Sequence, residues 1–381
     1  MGKWAGKVVI GLTGNIGTGK SVVRRMLEHL GAYGIDADAL AHRAIARGAP
    51  GYQPVIDHFG KWILTEQGEI DRSKLARVVF GDKEALARLE GIIHPLVLQA
   101  IDWLVQRASQ KVIVIEAIKL LESGLASTCD SIWVTYTPPE IQLARLMANR
   151  KMTESEARQR IAAQPPQEQK LAVADVVIRN DATFEETWKQ VQAAWARLVP
   201  RSPEETPALP VQRKTSVPQS SLSVQRGKPR DSEAIARLMN RVNPSSRPVT
   251  RDDVMAAFGE KAFLLLCHEN EVHGLLGWQV ENLVARTVDI LIAPGLAPEA
   301  ALPPLIQEME RSSKNLQCEA SLVFAPTHLS DESFWKKLGY EKRTPHMLGV
   351  TAWQEAASES IRPGTTLFFK QLRADRVLRP I

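Results

Sequence analysis

The sequence has few of the features that mark secreted and membrane proteins. Its three cysteines, Cys129, Cys267 and Cys318, are widely spaced and form no Cys-x-x-Cys pair, which argues against a disulfide framework or a zinc site. The longest apolar runs, such as 112–115 and 263–267, are much shorter than the roughly 18 residues that a membrane-spanning helix needs. The first residues, MGKWAGKVVIGLT, contain no secretory apolar core or cleavage site. These absences predict a cytoplasmic protein with no membrane partner.

The chain also lacks a strong excess of one charge. It contains 48 basic and 43 acidic residues, a net charge of +5, and the two signs are interspersed rather than concentrated in one stripe. Nucleotide phosphates explain a modest positive charge as well as a nucleic acid would, so we predict no nucleic-acid partner. A composition of 44% hydrophobic and 24% charged residues is that of a soluble globular protein. Oligomerisation is left open by these data.

The length and a change in composition divide the chain. At 381 residues, it is too long for one ordinary core. Residues 201–226 are rich in proline, serine and threonine and almost free of large apolar residues, so they cannot build a core. We predict an N-terminal domain at 1–200, a linker at 201–226 and a C-terminal domain at 227–381.

The N-terminal half has the pattern of an α/β fold. Short apolar runs alternate with helical patterns, which indicates a parallel sheet with helices on both faces. Between Gly48 and Gln110 the pattern is mostly helical, as in 72–80 and 83–91, and predicts a helical insertion that shapes a substrate pocket. The predicted strands are 8–13, 33–38, 112–117, 132–137 and 174–178.

The C-terminal half predicts an α+β domain. Three apolar runs follow one another with short turns between them, as in an antiparallel meander. A helix over 299–313, a further strand, a short helix at 334–338 and a late strand come after them. The predicted strands are 262–269, 272–281, 286–294, 320–326 and 365–372.

One motif of the N-terminal half has a defined chemistry. Residues 14–21 read GNIGTGKS and fit GxxxxGK[ST], the phosphate-binding loop, between an apolar strand and a helical pattern. Lys20 would contact the β- and γ-phosphates of ATP, and the Ser21 hydroxyl would bind Mg²⁺. The residues predicted to bind the nucleotide are Gly14, Gly17, Thr18, Gly19, Lys20, Ser21 and Val22.

A phosphate loop indicates that a nucleotide binds, but other residues determine which acceptor receives the phosphate. Phosphoryl transfer also requires a carboxylate near the attacking hydroxyl and cations around the transferred group. Asp36 and Asp38 come at the end of the second predicted strand, where ligands bind to sheets of this kind. We therefore predict that both contact the acceptor.

The spacing of several further motifs resembles the dephospho-CoA kinase family. The resemblance covers about residues 7–195 and includes IDAD at 35–38, HFG at 58–60, GEIDRSKLARVVF at 68–80, LEGIIHPLV at 89–97, LLESG at 120–124, RLMANRKMTESEARQRIAAQ at 145–164 and LAVADVVIRND at 171–181. It implies a P-loop kinase fold with a helical substrate and lid insertion. It also implies transfer of the ATP γ-phosphate to the ribose 3′-hydroxyl of dephospho-CoA, which gives CoA.

The resemblance assigns roles to individual residues. Asp38 matches the proposed catalytic aspartate of the family, and the alternative is a helix N-cap. Arg145 and Arg150 lie in the lid segment, where they would neutralise phosphate charge, although Arg158 and Arg160 could share this role. The resemblance also assigns three further contacts, which are His94 and Glu122 to the acceptor and Asn180 to the adenine. For His94 the alternative is a packing role, and for Asn180 it is a loop cap.

The sequence departs from the family pattern near this site. Where the family commonly has PLLFE, residues 118–122 read IKLLE, so that Ile118 replaces a proline and Lys119 adds a charge. This departure bears on substrate contacts rather than on the nucleotide loop. Glu116, just before it, could hold a water bound to Mg²⁺ or be a solvated acid at a strand end.

The C-terminal half resembles GNAT-type acetyltransferases in the order of its elements and in FWKKLGYEK at 334–342. Active members bind the pyrophosphate of acetyl-CoA with backbone amides of a glycine-rich loop. Here the loop reads APGLAPEAA, and Pro294 and Pro298 have no amide hydrogen. We therefore expect a non-catalytic GNAT-like domain. The alternatives are a bifunctional protein with an acyl-CoA-dependent N-acyltransferase, and a catalytically silent ATP-binding regulator.

Overall fold

The structure is a computed structural model that describes residues 3–199, 222–243, 247–269, 271–374 and 377–378. In the N-terminal domain, strands alternate with helices, as the sequence predicts. The elements are β1 Val8–Thr13, α1 Lys20–His29, β2 Tyr33–Asp36, α2 Ala37–Ala44, α3 Tyr52–Phe59, α4 Arg72–Gly81, α5 Lys83–Arg107, β3 Val112–Glu116, β4 Ser131–Tyr136, α6 Pro139–Arg150, α7 Glu154–Ala162, α8 Gln167–Leu171, β5 Val176–Arg179 and α9 Phe184–Leu198.

The five strands form a parallel sheet in the order β2-β3-β1-β4-β5. Helices α2 and α5 pack on one face and helices α1 and α9 on the other. Strand β3 is buried along its whole length because helices cover both of its sides. The predicted α/β class of this domain is confirmed. Because the strands are parallel, Thr13, Asp36 and Glu116 end at the same edge of the sheet.

Helices α3, α4 and α5 form the insertion that the sequence predicts between Gly48 and Gln110. They enclose a small core of their own, which includes Val55, Leu75 and Leu89. Helix α5 is much longer than the predicted 83–91, because it continues through Pro95 to Arg107. Proline removes one helical hydrogen bond, but the apolar residues after it pack against the parallel sheet and hold the helix together.

The C-terminal domain is α+β, as predicted. Its elements are β6 Ser223–Arg226, α10 Ser232–Val242, α11 Arg251–Ala257, β7 Ala262–His268, β8 Glu271–Glu281, β9 Val284–Ile292, α12 Pro298–Asn315, β10 Ala320–Pro326, α13 Glu332–Lys337, β11 Glu341–Lys342, α14 Thr351–Ser360 and β12 Thr365–Gln371. The sheet has the order β11-β12-β10-β9-β8-β7-β6. Strands β7, β8 and β9 form the predicted antiparallel meander, and β10 pairs with β9 in parallel.

One strand of this sheet begins earlier than the predicted domain boundary. Residues 223–226 lie in the stretch that the sequence assigns to the linker, yet they form β6 and pair with β7. This edge strand is mostly exposed, so it has little apolar pattern by which it could be recognised. Residues 201–221 of the predicted linker lie outside the described residues.

The aromatic segment near residue 335 belongs to the core of the C-terminal domain. Trp335 is buried, its ring is stacked on Phe368 with centroids 5.2 Å apart, and its indole N–H donates to the Leu329 carbonyl at 2.7 Å. Tyr340 packs edge-on against Trp335 and donates to Ser321 at 3.0 Å. The segment therefore has a packing role. No helix in the described parts of the chain is both long and apolar enough to cross a bilayer.

The two domains share an apolar core. Leu283, Leu316 and Val377 of the C-terminal half pack into the cluster formed by α2, α5 and the parallel sheet. On another side, His29 hydrogen-bonds the Phe258 carbonyl at 2.9 Å. A carbonyl oxygen only accepts, so the ring nitrogen Nε2 is the donor. The two domains are therefore packed against each other at these contacts.

This shared core predicts a single cooperative unfolding transition for the full chain, because neither domain can open without exposing apolar surface of the other. Scanning calorimetry checks this, and we expect one peak whose calorimetric and van't Hoff enthalpies agree. Two separated peaks would contradict the expectation.

Candidate active site

The phosphate loop between β1 and α1 is packed so closely that two of its positions require glycine. Gly14 and Gly19 have φ of 152° and 86°, where other residues are strained. A β-carbon at Gly19 would also collide with the side-chain amide of Asn180, and one at Gly14 with the Thr135 hydroxyl. The glycines therefore serve both the turn and the close approach of neighbouring chain segments.

Lys20, the first residue of α1, is buried under this loop. Its ammonium group donates to the carbonyl oxygens of Gly14 at 3.1 Å and Asn15 at 3.4 Å. Burial lowers the pKa of Lys20, whereas the nearby carboxylates of Glu116 and Asp38 raise it. The ammonium thus lies among the groups that the sequence assigns to phosphate and acceptor.

Glu116 connects the loop to the sheet. One carboxylate oxygen accepts the Ser21 hydroxyl at 2.9 Å and the other accepts the Arg24 guanidinium at 2.7 Å. Arg24 also pairs with Glu28 at 2.6 Å, and little of its side chain is exposed. Sequence reasoning overlooked Arg24, because a cation on a helix is usually solvated. Arg24 follows Lys20 by four residues on the same helix, so the two side chains lie on one face, and this spacing could have indicated that Arg24 is near the site.

Asp38 lies in the first turn of α2, next to the end of β3. Its Oδ2 accepts the backbone N–H of Ile118 at 3.1 Å. Burial raises the pKa of Asp38, while the hydrogen bond from Ile118 and the charge of Lys20 lower it. A proline at position 118 would have no N–H to donate, so this hydrogen bond depends on the residue that departs from the pattern described above.

Asp36 has a different position. It is the N-cap of α2, and its Oδ1 accepts the Ala39 N–H at 2.8 Å. Burial and the charge of Glu116 raise the pKa of Asp36 to about 6. The capping role that the sequence left open for Asp38 is thus taken by Asp36. Asp36 does not line the cavity that Asp38 faces.

That cavity has a volume of about 420 Å³ and lies between α2, α4 and α5. Its walls are mainly aliphatic, with Asp38 and His94 among the few polar side chains. Lys119, the second unusual residue after β3, also lines it and pairs with Glu90 of α5 at 2.8 Å. Glu122 is exposed and does not line this cavity. The structure therefore brings His94, but not Glu122, to the cavity next to Asp38.

The predicted lid residues lie on the other side of the loop. Arg145 donates to the carbonyls of Gly17 at 3.3 Å and Asn180 at 2.8 Å. The side-chain amide of Asn180 donates to the Thr18 carbonyl at 3.0 Å, so Asn180 supports the loop directly. Arg150 is exposed at the end of α6, and its charge contributes to the lowered pKa of Lys20.

Lys170 is a second cation that sequence reasoning missed. It is only 2% exposed, and its ammonium donates to the Ile118 carbonyl at 2.9 Å. Burial lowers the pKa of Lys170, and the charges of Glu122 and Asp38 raise it. Lys170 directly precedes the motif LAVADVVIRND at 171–181. Its position next to that motif could have identified it.

A buried lysine under a glycine-rich loop, with an aspartate at the next strand end, defines a P-loop phosphotransferase. The family model for dephospho-CoA kinase matches residues 8–186. A dephospho-CoA kinase from Carboxydothermus hydrogenoformans is 47% identical over 186 residues, which cover 48% of this chain and 90% of that protein. The chain belongs to the dephospho-CoA kinase family and is an ATP-dependent kinase.

Solved structures resemble each half of the chain. TT1252 from Thermus thermophilus is 31% identical, covers 51% of this chain and 98% of its own, and has a TM-score of 0.46. An acetyltransferase of the GNAT family from Streptococcus pneumoniae is 12% identical and covers 39% of this chain and 98% of its own, with a TM-score of 0.30. The C-terminal half is thus similar to GNAT structures at low identity.

The raised pKa of Asp36 predicts a pH-dependent effect of Asp36→Asn. The ordinary aspartate pKa is 3.8 and that of folded Asp36 is about 6. Below pH ~4 the carboxyl is protonated in both the folded and the unfolded chain, so it does not lower the free energy of unfolding. Above pH ~6 it is ionised in both states, and the full cost of burying the charge lowers that free energy. Asparagine caps helices equally well. We expect Asp36→Asn to raise the free energy of unfolding by about 3 kcal/mol at pH 8 and by much less at pH 4.

Urea denaturation at both pH values measures this difference. The matched control is Asp82→Asn, which makes the same change at the exposed N-cap of α5 and should not gain stability at pH 8. A loss of stability in Asp36→Asn at pH 8 would show that ionised Asp36 stabilises the fold.

Proposed function

We propose that this protein transfers the γ-phosphate of ATP to the ribose 3′-hydroxyl of dephospho-CoA, which yields CoA and ADP. The observation that carries the proposal is the position of Asp38. Its carboxylate interacts electrostatically with Lys20 of the phosphate loop and also lines the 420 Å³ cavity between α2, α4 and α5. A substrate in that cavity would present its hydroxyl to the terminal phosphate next to Asp38.

In this proposal Asp38 accepts the proton of the 3′-hydroxyl as the oxygen attacks the γ-phosphorus. The bond from the γ-phosphorus to the bridging oxygen breaks, and ADP leaves with that oxygen. The hydrogen bond from Ile118 orients the carboxylate and leaves its other oxygen for the substrate. The raised pKa of Asp38 makes it a better proton acceptor than an exposed aspartate.

The cations around the loop would stabilise the phosphate charges. Lys20, which contacts the Gly14 carbonyl of the loop, would bind the β- and γ-phosphates, and Arg145, which contacts the Gly17 carbonyl, would act from the lid side. Lys170 lies on the same side of the loop as Asp38, where its ammonium group donates to the Ile118 carbonyl. These groups are fixed by hydrogen bonds to the backbone, so little reorganisation is needed when charge develops during transfer.

Ser21 and Glu116 would hold Mg²⁺ at this site. The Ser21 hydroxyl lies at 2.9 Å from the Glu116 carboxylate, a pair that would hold the ion and one of its waters. When bound, Mg²⁺ would neutralise phosphate charge.

The proposal is tested by the choice of acceptor. ATP consumption by the full chain is measured with dephospho-CoA, adenosine, nucleoside monophosphates and shikimate at equal concentrations. We expect rapid turnover with dephospho-CoA alone. Preference for another acceptor would place the protein in a different kinase branch.

Two substitutions separate the roles of the loop and the acid. Lys20→Ala and Asp38→Asn should each lower kcat about a hundredfold or more, because each removes a group that acts on the transferred phosphate. Asp38→Asn should leave the Kd of ATP nearly unchanged, as measured by calorimetric titration. An equal loss of ATP affinity in Asp38→Asn would place this carboxylate at the nucleotide instead of the acceptor.

For the C-terminal domain we propose a non-catalytic role. Helix α12, which follows the expected phosphate-binding loop, begins at Pro298, and its N-cap Ala297 has no side chain that caps it. Glu299 adds a negative charge in the first turn of this helix. A missing amide and a carboxylate at this position both oppose binding of a pyrophosphate.

We therefore expect no acyl transfer by the full chain. Lys20→Ala protein, with the kinase silenced, is incubated with acetyl-CoA and primary amines, and release of the CoA thiol is followed. The expected rate equals that without protein. Thiol release that depends on the amine would identify a bifunctional enzyme, provided that a substitution that disrupts strand β10 abolishes it.

A further inference from the structure

The turn between β8 and β9 has an unusual backbone. Asn282 and Leu283 have φ of 51° and 60°, as in a hairpin turn that normally carries glycine at its second position. Asparagine tolerates this conformation, but leucine adopts it only at a cost. The Leu283 side chain packs into the core of the kinase domain. The strained turn is thus held by its contact with the other domain.

An ion pair lies beside this turn. Arg43 of α2 donates two hydrogen bonds to Glu319, at 2.6 and 2.7 Å, and another to the carbonyl of Asn282. Glu319 is 1% exposed and also accepts the N–H of Val377 at 2.9 Å. Both charges are well satisfied, which buried ions require. Removal of either partner would leave a buried charge without compensation.

These contacts reach the helix that carries the catalytic aspartate. One face of α2, with Asp38 and Ala41, lines the acceptor cavity. Its other face, with Leu40 and Arg43, lines a narrow space against the turn at 281–283. Helix α2 therefore lies between the acceptor cavity and the appended domain.

A second contact reaches the opposite wall of the same cavity. The Thr351 hydroxyl of α14 donates to Glu69 at 3.0 Å, just before α4. Arg72, at the start of α4, lines the cavity and lies 3.8 Å from Glu355. The C-terminal domain thus contacts both helices that enclose the side of the cavity away from α5.

We propose that the C-terminal domain positions the acceptor half of the kinase site, with Leu283, Glu319 and Arg43 as positioning residues that hold α2 and Asp38. The proposal rests on the proposed kinase reaction, and it gives the appended domain a role that needs no ligand of its own. The phosphate loop itself is held by contacts within the kinase domain, so loss of the contacts of Arg43, Leu283 and Glu319 should affect the acceptor rather than ATP.

The test uses two variants of the full chain. Leu283→Gly relieves the strained turn and removes the docking side chain, so the hairpin itself should remain folded. Glu319→Gln removes the charge that pairs with Arg43. The matched control is Arg311→Ala, which breaks an exposed ion pair with Glu308 on α12. Kinetics with dephospho-CoA, the Kd of ATP, and hydrogen exchange of α1 and α2 are measured for each.

We expect kcat/KM for dephospho-CoA to fall about tenfold in both variants, because Asp38 is no longer held in register with the phosphate. The Kd of ATP should stay within about twofold. Amides of α2 should exchange faster while those of α1 are unchanged, and Arg311→Ala should behave as the wild type.

Wild-type acceptor kinetics in both variants, or an equal loss of ATP affinity, would overturn the positioning role. If Glu319→Gln does not fold, Leu283→Gly alone decides. Failure of the wild-type chain to phosphorylate dephospho-CoA would instead refute the proposed function, so the two failures are distinguishable.

Discussion

The site depends on the pairing of buried charges at one edge of the parallel sheet. Glu116 is 4% exposed, and it would be costly to bury without Arg24, whose guanidinium lies 2.7 Å away. That pair fixes Ser21 through the second oxygen of the carboxylate. The charge of the same carboxylate contributes to the pKa of both Lys20 and Asp36, in each case by raising it. The pairing of Glu116 with Arg24 therefore affects the charges around the phosphate loop.

The same charges explain why two neighbouring aspartates differ. Asp36 is next to Glu116 and caps a helix, so it has a structural position with a raised pKa. Asp38, two residues later, turns to the cavity and is stabilised by Ile118 and Lys20. A helix that begins between them separates the two side chains, so one caps the helix and the other faces the cavity.

Periodic and motif signals made much of the kinase domain predictable. The strands at 8–13 and 112–117, the phosphate loop and the helical insertion follow from apolar alternation and from residues with a fixed chemistry. The assigned roles of the site residues, including Asp38, Arg145 and His94, stay predictions. Buried Arg24 and Lys170 were not foreseen, because a sequence pattern does not show that a cation is paired with a carboxylate or carbonyl from a distant segment.

The C-terminal domain was less predictable. Its meander has strong apolar runs, but β6 is a short polar edge strand, and α10, α11 and α14 were not anticipated. The contact between the domains left no periodic signal, since it depends on single residues such as Arg43 and Glu319 that are far apart in sequence. Pairing of this kind becomes visible when both surfaces are folded.

The packing of Val377 in the core of the kinase domain has a consequence for synthesis. A nascent chain exposes its N-terminal domain first, and such domains commonly fold while translation continues. Here part of the apolar surface of that domain stays uncovered until residue 377 has left the ribosome. The kinase half therefore keeps this apolar surface exposed while the residues between its last helix and Val377 are synthesised, and chaperones have that interval in which to bind it.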